Sequence, residues 1–253
     1  MTSQIDKAEA FRLLHRPGDP IVLFNAWDPG SAKAVQEAGA LAIATGSYSV
    51  AAAHGYGDGE GLPLELVLAN AARMVAAVPV PVTLDFERGY GASAVEVAAS
   101  VALALEAGVV GVNIEDGTED GLRALPEQVE RLSAIRMACD TRQIPAFLNA
   151  RTDIFLLAPP TAHTSRLVDD TLTLAKAYAE AGADGLFVPG LVDPDLIGAV
   201  CAASPLPVNV MMTKASPPKG VLAGLGVARI SHGPGPYRLA MEALKRAAQE
   251  AMA

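Results

Sequence analysis

The feature that most constrains the fold is a repeated unit in which a helical pattern ends at a glycine and a short apolar run follows. Three of these turns read almost alike, as Glu-Ala-Gly followed by Ala or Val, and their glycines are Gly39, Gly108 and Gly182. Glycine is favoured just after a helix because that position adopts a left-handed backbone. The turns therefore predict helices that end there and strands that begin immediately afterwards.

Eight short apolar runs fit this pattern, at residues 21–25, 41–45, 82–86, 109–115, 146–150, 185–188, 208–211 and 228–231. Most of them lack polar–apolar alternation, which is typical of parallel strands buried on both faces. Helical patterns separate the strands and include residues 64–77, 94–107, 126–139, 165–181 and 236–251. Strict alternation of strands and helices predicts a parallel sheet of the α/β class.

The number of units favours a closed barrel over an open, doubly wound sheet. Barrels of this kind use about 250 residues, so we expect residues 1–253 to form a single (β/α)8 TIM-barrel catalytic domain. An open nucleotide-binding sheet would carry a glycine-rich turn after its first strand, and residues 26–30 lack that spacing. Before the barrel, a short N-terminal helix is predicted to end at Pro17 and Gly18.

Charge and cysteine content argue against several kinds of partner. The formal net charge of −9 argues against nucleic acid, because phosphate binding needs clustered lysine and arginine. The most apolar stretch, residues 95–114, contains Glu96 and Glu106, which argues against a membrane span. Cys139 and Cys201 stand in unrelated contexts, so no disulfide framework is expected. With an N-terminus unlike a signal peptide, these observations predict a cytoplasmic protein.

Carboxylates end the third and fourth predicted strands. Asp85 and Glu87 belong to the third strand, and Glu115 to the fourth. The active site of a barrel lies at the C-terminal ends of its strands, so these groups are expected to converge. A divalent cation would relieve their repulsion, and oxygen-only ligands favour Mg²⁺, with Mn²⁺ as an alternative. The other interpretation is that they form salt bridges with Arg88 and Arg151, or cap helices.

Other strand ends supply candidates for substrate binding. Arg151 follows the fifth strand, and its guanidinium suits a substrate carboxylate or an enolate oxygen, although an ion pair with Asp153 or Glu115 is the alternative. Gly46 and Ser47 follow the second strand, where they would offer backbone N–H groups to a carboxylate or serve as ordinary turn residues.

At these positions the sequence resembles the isocitrate lyase/phosphoenolpyruvate mutase superfamily. The matching segments occur in order along nearly the whole chain and are Asn25-Ala26-Trp27-Asp28, Gly46-Ser47, Gly55-Tyr56-Gly57-Asp58, Asp85-Phe86-Glu87-Arg88-Gly89-Tyr90-Gly91, Ile114-Glu115-Asp116 and Asn149-Ala150-Arg151-Thr152-Asp153. Each segment alone is weak, whereas the ordered set is specific.

The resemblance implies a magnesium ion held, partly through water, by three carboxylates: Asp85, Glu87 and Glu115. It also implies that Asp58 lies near the metal, that Gly46 and Ser47 bind a carboxylate, and that Arg151 helps to hold an enolate-like oxygen. Many members of the superfamily are tetramers that exchange their last helix between barrels. We therefore expect a homo-oligomer, dimer or tetramer, with residues 236–251 as an exchanged C-terminal helix.

The segment after the fourth strand departs from the superfamily pattern. The lyases carry a catalytic cysteine and a histidine there, and the phosphonomutases carry lysine and asparagine, whereas residues 117–125 contain none of these. Glu87 also stands where many members have aspartate. The sequence therefore predicts a Mg²⁺-dependent lyase that cleaves a C–C bond of a small 2-oxo or 2-hydroxy carboxylic acid through an enolate, in the manner of oxaloacetate decarboxylase or methylisocitrate lyase.

Three residues are predicted to carry the reaction: Asp58, Arg151 and Tyr48. The predicted substrate contacts are Trp27, Gly46, Ser47, Arg151 and Asn209, although a lone tryptophan is more often part of a core. Two alternatives stay open. One is a phosphoenolpyruvate or phosphonopyruvate mutase or hydrolase, and the other is an oxo-acid-binding barrel with weak catalysis.

Overall fold

The computed structural model describes residues 2–253 and contains eight parallel strands in a curled sheet. The strands are β1 (Asp19–Leu23), β2 (Ile43–Ala44), β3 (Val82–Asp85), β4 (Gly111–Glu115), β5 (Phe147–Arg151), β6 (Gly185–Phe187), β7 (Val208–Met211) and β8 (Arg229–Ser231). The helices are α1 (Gln4–Leu13), α2 (Pro29–Glu37), α3 (Ser47–Ala53), α4 (Leu64–Ala77), α5 (Ala94–Glu106), α6 (Leu125–Thr141), α7 (Ile154–Leu157), α8 (Ser165–Glu180), α9 (Pro194–Ala203), α10 (Lys219–Gly224) and α11 (Gly235–Met252).

The sheet closes on itself as a (β/α)8 barrel, as the sequence predicted. Each strand from β2 to β8 pairs in parallel with the next, and β8 pairs with β1. A parallel bridge between Ala26 and Thr45 joins the segments after β1 and β2 and completes the ring. The predicted second strand was too long, because Leu41 lies at the surface with 61% of its area exposed. An apolar run does not distinguish such a residue from a buried strand residue.

The glycine turns that predicted the alternation have the expected backbone. Gly39, Gly108 and Gly182 have φ angles of 98°, 94° and 93°, in the left-handed region that glycine adopts without a steric penalty. A side chain at Gly108 would also place its Cβ 2.9 Å from Val75. These turns set the positions at which β2, β4 and β6 enter the barrel.

The N-terminal helix packs against the end of the barrel at which the strands begin. Phe11 of α1 is fully buried, and His15 stacks on Phe147 at the start of β5 with a centroid separation of 3.8 Å. Burial, with the nearby Arg229, lowers the pKa of His15 to about 3, so this ring is a neutral core group. Helix α1 therefore covers one end of the barrel, and the C-terminal ends of the strands stay accessible.

The last helix leaves the barrel instead of packing on it. Pro236 is the only buried residue of α11, and Leu239 and Leu244 are each 63% exposed. Beside β1, a groove of about 580 Å³ is lined by apolar and charged residues that include Phe24, Val35, Leu41 and Lys219. Among residues 2–253, no helix combines the length and the apolar character needed to cross a membrane.

Candidate active site

Asp85 is the most firmly held carboxylate at the open end of the barrel. It ends β3, and its backbone N–H donates to Thr45 Oγ1 at 2.9 Å. Its Oδ2 accepts from the Ser47 N–H at 3.1 Å and from the Ser47 hydroxyl at 2.9 Å. Its Oδ1 accepts from Asn113 Nδ2 at 3.3 Å. These contacts fix the carboxylate at the mouth of the barrel, and they occupy the Ser47 N–H that the sequence analysis assigned to a substrate carboxylate.

A buried polar layer inside the barrel sets the orientation of Asn113. Its Oδ1 accepts from Asn149 Nδ2 at 2.9 Å and from Arg229 Nη2 at 3.2 Å. Two donors on the oxygen leave the Nδ2 side of the amide facing Asp85. Arg229 was missed by the sequence analysis, and the only available signal was one arginine within the apolar run that forms β8.

Glu87 is buried just beyond Asp85, and both of its carboxylate oxygens are hydrogen-bonded. Tyr90 Oη donates to Oε1 at 2.9 Å, and the Glu60 N–H donates to Oε2. Burial raises the pKa of Glu87 to about 7, and the charges of Asp85 and Asp58 add to the increase. Glu87 is therefore a proton-sensitive group whose oxygens already have donors in two neighbouring segments.

Glu115 ends β4 and forms an ion pair with Arg151, which ends the adjacent strand β5. Arg151 Nη1 lies 2.7 Å from Glu115 Oε2, and Arg151 also donates to Asp153 through Nε at 2.6 Å and Nη2 at 3.0 Å. Burial raises the pKa of Glu115 to about 8, although Arg151 opposes the increase. The ion pairs that the sequence left open as an alternative are therefore present. One N–H on each Nη of Arg151 has no partner among them.

Asp58 lies in the exposed loop between α3 and α4. Desolvation raises the pKa of Asp58, and the charge of Asp85 raises it further. The two carboxylates are therefore close enough to interact through their charges.

These oxygen donors fit a divalent cation that keeps part of its water shell. Within residues 2–253, no three acidic, histidine or cysteine side chains lie close enough to ligate one ion directly. Mg²⁺ usually binds through one or two carboxylates and retains several waters. Asp85 would hold it directly, with Glu87, Glu115 and Asp58 acting through water.

Aromatic residues after β1 and β2 lie at the part of the mouth next to Asp85. Trp27, after β1, contacts Tyr237 edge-on with ring centroids 5.2 Å apart. Tyr48, at the start of α3, lies beneath Arg238 at 4.8 Å. Gly46 precedes Tyr48 and Ser47, and a Cβ there would lie 3.4 Å from the Gly233 carbonyl oxygen. Trp27 and Tyr48 thus both lie against Tyr237, and their role as substrate contacts, with that of Gly46, stays a prediction.

Two predicted regions lie elsewhere. Asn209 is 1% exposed inside the barrel, where its Oδ1 accepts from Ser231 Oγ at 3.2 Å, so a ligand at the mouth does not meet it directly. The segment after β4 forms a small antiparallel hairpin from Gly117–Thr118 and Gly121–Leu122. Arg123, its only cation, is paired with Glu127 at 2.6 Å.

The metal-free protein is expected to lose stability as pH rises through about 7 and about 8. Glu87 and Glu115 have pKa values raised to about 7 and about 8 from 4.5, so the folded state binds more protons than the unfolded chain. Their contribution is complete below 4.5 and is lost above the folded values. Thermal denaturation in EDTA at several pH values checks this. Glu115→Gln is the control, and its melting temperature should depend less on pH. A melting temperature that rises over this range would contradict the site's electrostatics.

The fold and the site together define the class of protein: a barrel enzyme with a cluster of carboxylates at the C-terminal ends of its strands. A sequence profile described as phosphoenolpyruvate phosphomutase matches residues 11–252, so the chain belongs to that family. An uncharacterized Mycobacterium tuberculosis protein is 35% identical over 95% of this chain and 88% of its own length. A Burkholderia cenocepacia crystal structure, provisionally assigned as a phosphonomutase, is 49% identical with a TM-score of 0.96, covering 98% of this chain and 100% of that one.

Relatives with named activities catalyse different reactions. Phosphoenolpyruvate phosphomutase from Streptomyces platensis is 25% identical with a TM-score of 0.86, over 97% of this chain and 87% of that one. A 2,3-dimethylmalate lyase is 25% identical with a TM-score of 0.83, over 99% of this chain and 85% of that one. Oxaloacetate decarboxylase from Bradyrhizobium is 31% identical over only 40% of this chain and 35% of its own. Superfamily members are thus mutases, lyases and decarboxylases, and the comparison leaves the reaction open.

Proposed function

We propose that this chain is a Mg²⁺-dependent lyase that cleaves a C–C bond of a small 2-oxo or 2-hydroxy carboxylic acid. The observation that carries the proposal is the placement of Asp85 and the Glu115–Arg151 pair on adjacent strand ends, with the pKa of Glu115 raised to about 8. Binding of a cation would relieve the repulsion between these buried carboxylates. The named lyase and decarboxylase relatives act on acids of this kind, by their names.

Breaking a bond next to a 2-oxo or 2-hydroxy group leaves negative charge on an oxygen. When bound, Mg²⁺ would polarise that oxygen as a Lewis acid. The free N–H groups of Arg151 would donate to the same developing charge, which is the largest contribution in reactions of this type. Glu115 and Asp153 hold the guanidinium in place. Trp27 and Tyr48, which both contact Tyr237, would limit water at the mouth.

The hairpin after β4 favours cleavage over phosphorus chemistry. A phosphonate or phosphate ester would need a cation near its phosphoryl oxygens. Arg123 is the only cation of residues 117–125 and is turned to Glu127. Decarboxylation of an oxaloacetate-like acid needs little proton transfer beyond protonation of the enolate by Asp58, Tyr48 or water. It therefore fits a segment that lacks cysteine, histidine and lysine.

The reaction class is tested by incubating the protein and Mg²⁺ with 2-oxo and 2-hydroxy diacids, phosphoenolpyruvate and phosphonopyruvate. Proton and phosphorus NMR spectra are recorded for each. A 2-oxo acid that appears only with metal supports the lyase. A changed phosphorus spectrum would instead identify the mutase or hydrolase, and bound but unchanged ligands would indicate a binding barrel.

We also propose that α11 is exchanged between copies in a dimer or tetramer. Leu239 and Leu244 are exposed on α11, and the groove beside β1 offers an apolar surface of matching kind on another copy. Large apolar side chains that are exposed together on one helix are often covered by a partner.

An exchanged α11 predicts that the mass of the protein in solution depends on this helix. Leu239→Glu together with Leu244→Glu should convert the oligomer to a monomer in sedimentation velocity, because two charges would have to enter the groove. Glu242→Gln on the same helix serves as the control and should leave the mass unchanged. A monomeric wild-type protein would contradict the exchange.

A further inference from the structure

Two segments above Asp85 are joined by reciprocal hydrogen bonds. The first is the loop 57–61, between α3 and α4, and the second is the segment 87–91 after β3. The Glu60 N–H donates to Glu87 Oε2, and Glu60 Oε1 accepts from the Tyr90 N–H at 2.7 Å. Tyr90 Oη closes the set by donating to Glu87 Oε1 at 2.9 Å. We refer to these contacts as the Glu60 clamp.

Arg88 strengthens the clamp from its outer side. Its Nη2 donates to the Gly59 carbonyl oxygen at 2.8 Å, and its Nε lies 3.5 Å from Glu60 Oε2. The Arg88 and Glu60 side chains are only 24% and 21% exposed, so both have given up much of their hydration to make these contacts. Gly59 and Glu60 are therefore held through both backbone and side-chain atoms.

The backbone of the clamp is strained in a way that its contacts must maintain. Within residues 2–253, four non-glycine residues have a positive φ, and three of them are Glu60, Glu87 and Tyr90 at 65°, 52° and 55°. Side-chain-bearing residues persist in the left-handed region where surrounding contacts impose it, and such positions cluster at functional sites. The strain thus marks the clamp as a built feature of the open end of the barrel.

Asp58 lies within the loop that the clamp holds. A Cβ on Gly61 would lie 2.5 Å from the Gly57 carbonyl oxygen, so the loop is a tight turn with Asp58 inside it. Gly59 and Glu60, the next two residues, are the ones that the clamp holds. The tight turn and the clamp therefore hold the backbone around Asp58.

We propose that Glu60 is a positioning residue that keeps Asp58 directed at Asp85 by clamping the loop 57–61 onto the segment 87–91. This role rests on the proposed function in so far as Asp58 takes part in the reaction. Glu87 then has two tasks, since the carboxylate that faces the metal site also binds the loop.

Hydrogen exchange tests the clamp without reference to activity. Glu60→Ala should speed amide exchange in the loop 57–61 by about tenfold, because local opening no longer has to break the contacts of the Glu60 carboxylate with the Tyr90 N–H and with Arg88, and only the backbone contacts to Glu87 and Arg88 remain. Glu60→Gln keeps an oxygen for the Tyr90 N–H and should stay near wild type. Glu65→Ala, a loss of charge at the exposed start of α4, is the matched control. Unchanged exchange in Glu60→Ala would overturn the proposal.

The positioning role is tested by combining variants in the turnover assay. Asp58→Asn should lower kcat strongly in the wild-type background and much less in Glu60→Ala, while Glu60→Gln restores most of kcat. Equal losses in the two backgrounds would reduce Glu60 to a structural residue and overturn the role. If the wild-type protein turns over none of the acids, the proposed function has failed, and the exchange experiment still decides the clamp.

Discussion

Replacing Asp85 with alanine is expected to lower metal-dependent turnover by about a thousandfold or more, since a metal ion contributes several kcal/mol to such a transition state. Asp85 is the carboxylate with the most fixed geometry, held by Ser47 and Asn113. The same change should also lower the stability of the metal-free protein, because Ser47 and Asn113 lose their acceptor and the buried Arg229 loses its nearby negative charge. Initial rates and thermal melts in EDTA measure the two effects.

Two variants control for Asp85→Ala. Asp85→Asn keeps the shape and the hydrogen bonds to Ser47 but lacks the charge, so it should fail almost as badly as alanine. Asp195→Ala removes an exposed carboxylate from α9 and should change neither rate nor stability. An Asp85→Ala protein that retained metal-dependent turnover would show that the ion is held elsewhere.

Replacing Arg151 with methionine is expected to lower turnover by at least about a hundredfold and the free energy of unfolding by about 3 kcal/mol. The change removes the cation between Glu115 and Asp153 and leaves both carboxylates buried without a partner. The loss of stability should be smaller at pH 6 than at pH 8, since Glu115 can then stay protonated. Urea denaturation at the two pH values measures this.

Lysine at the same position separates charge from geometry. Arg151→Lys keeps a cation but cannot make the forked contact with Asp153, so we expect it to recover stability more than turnover. If Arg151→Met were as stable as wild type at pH 8, the ion pairs would contribute nothing to stability, which would contradict this account of the Glu115–Arg151–Asp153 group.

The barrel could be predicted from the sequence because its signals are local. Gly39, Gly108 and Gly182 mark the points at which helices give way to strands, and the apolar runs that follow are long enough to identify each strand. The polar residues after those strands could be collected for the same reason, since the C-terminal ends of barrel strands meet. The second strand was overextended at Leu41, where a surface residue looks like a core residue.

The remaining parts of the site depend on contacts between distant residues. Glu60 and Glu87 are 27 positions apart in the sequence, and Arg229 and Asn113 are 116 positions apart. Neither pairing follows a periodicity, so no pattern in the sequence predicts it. Whether Arg151 would be free or paired was undecided for a similar reason: its neighbours were known, but the directions of their side chains were not.

The most direct test of the metal site is calorimetry with oxalate, a planar mimic of the enolate of a 2-oxo acid. Oxalate should bind the wild-type protein one to one in the presence of Mg²⁺, and should not bind in EDTA or to Asp85→Ala. Equal binding with and without metal would contradict a magnesium site at Asp85.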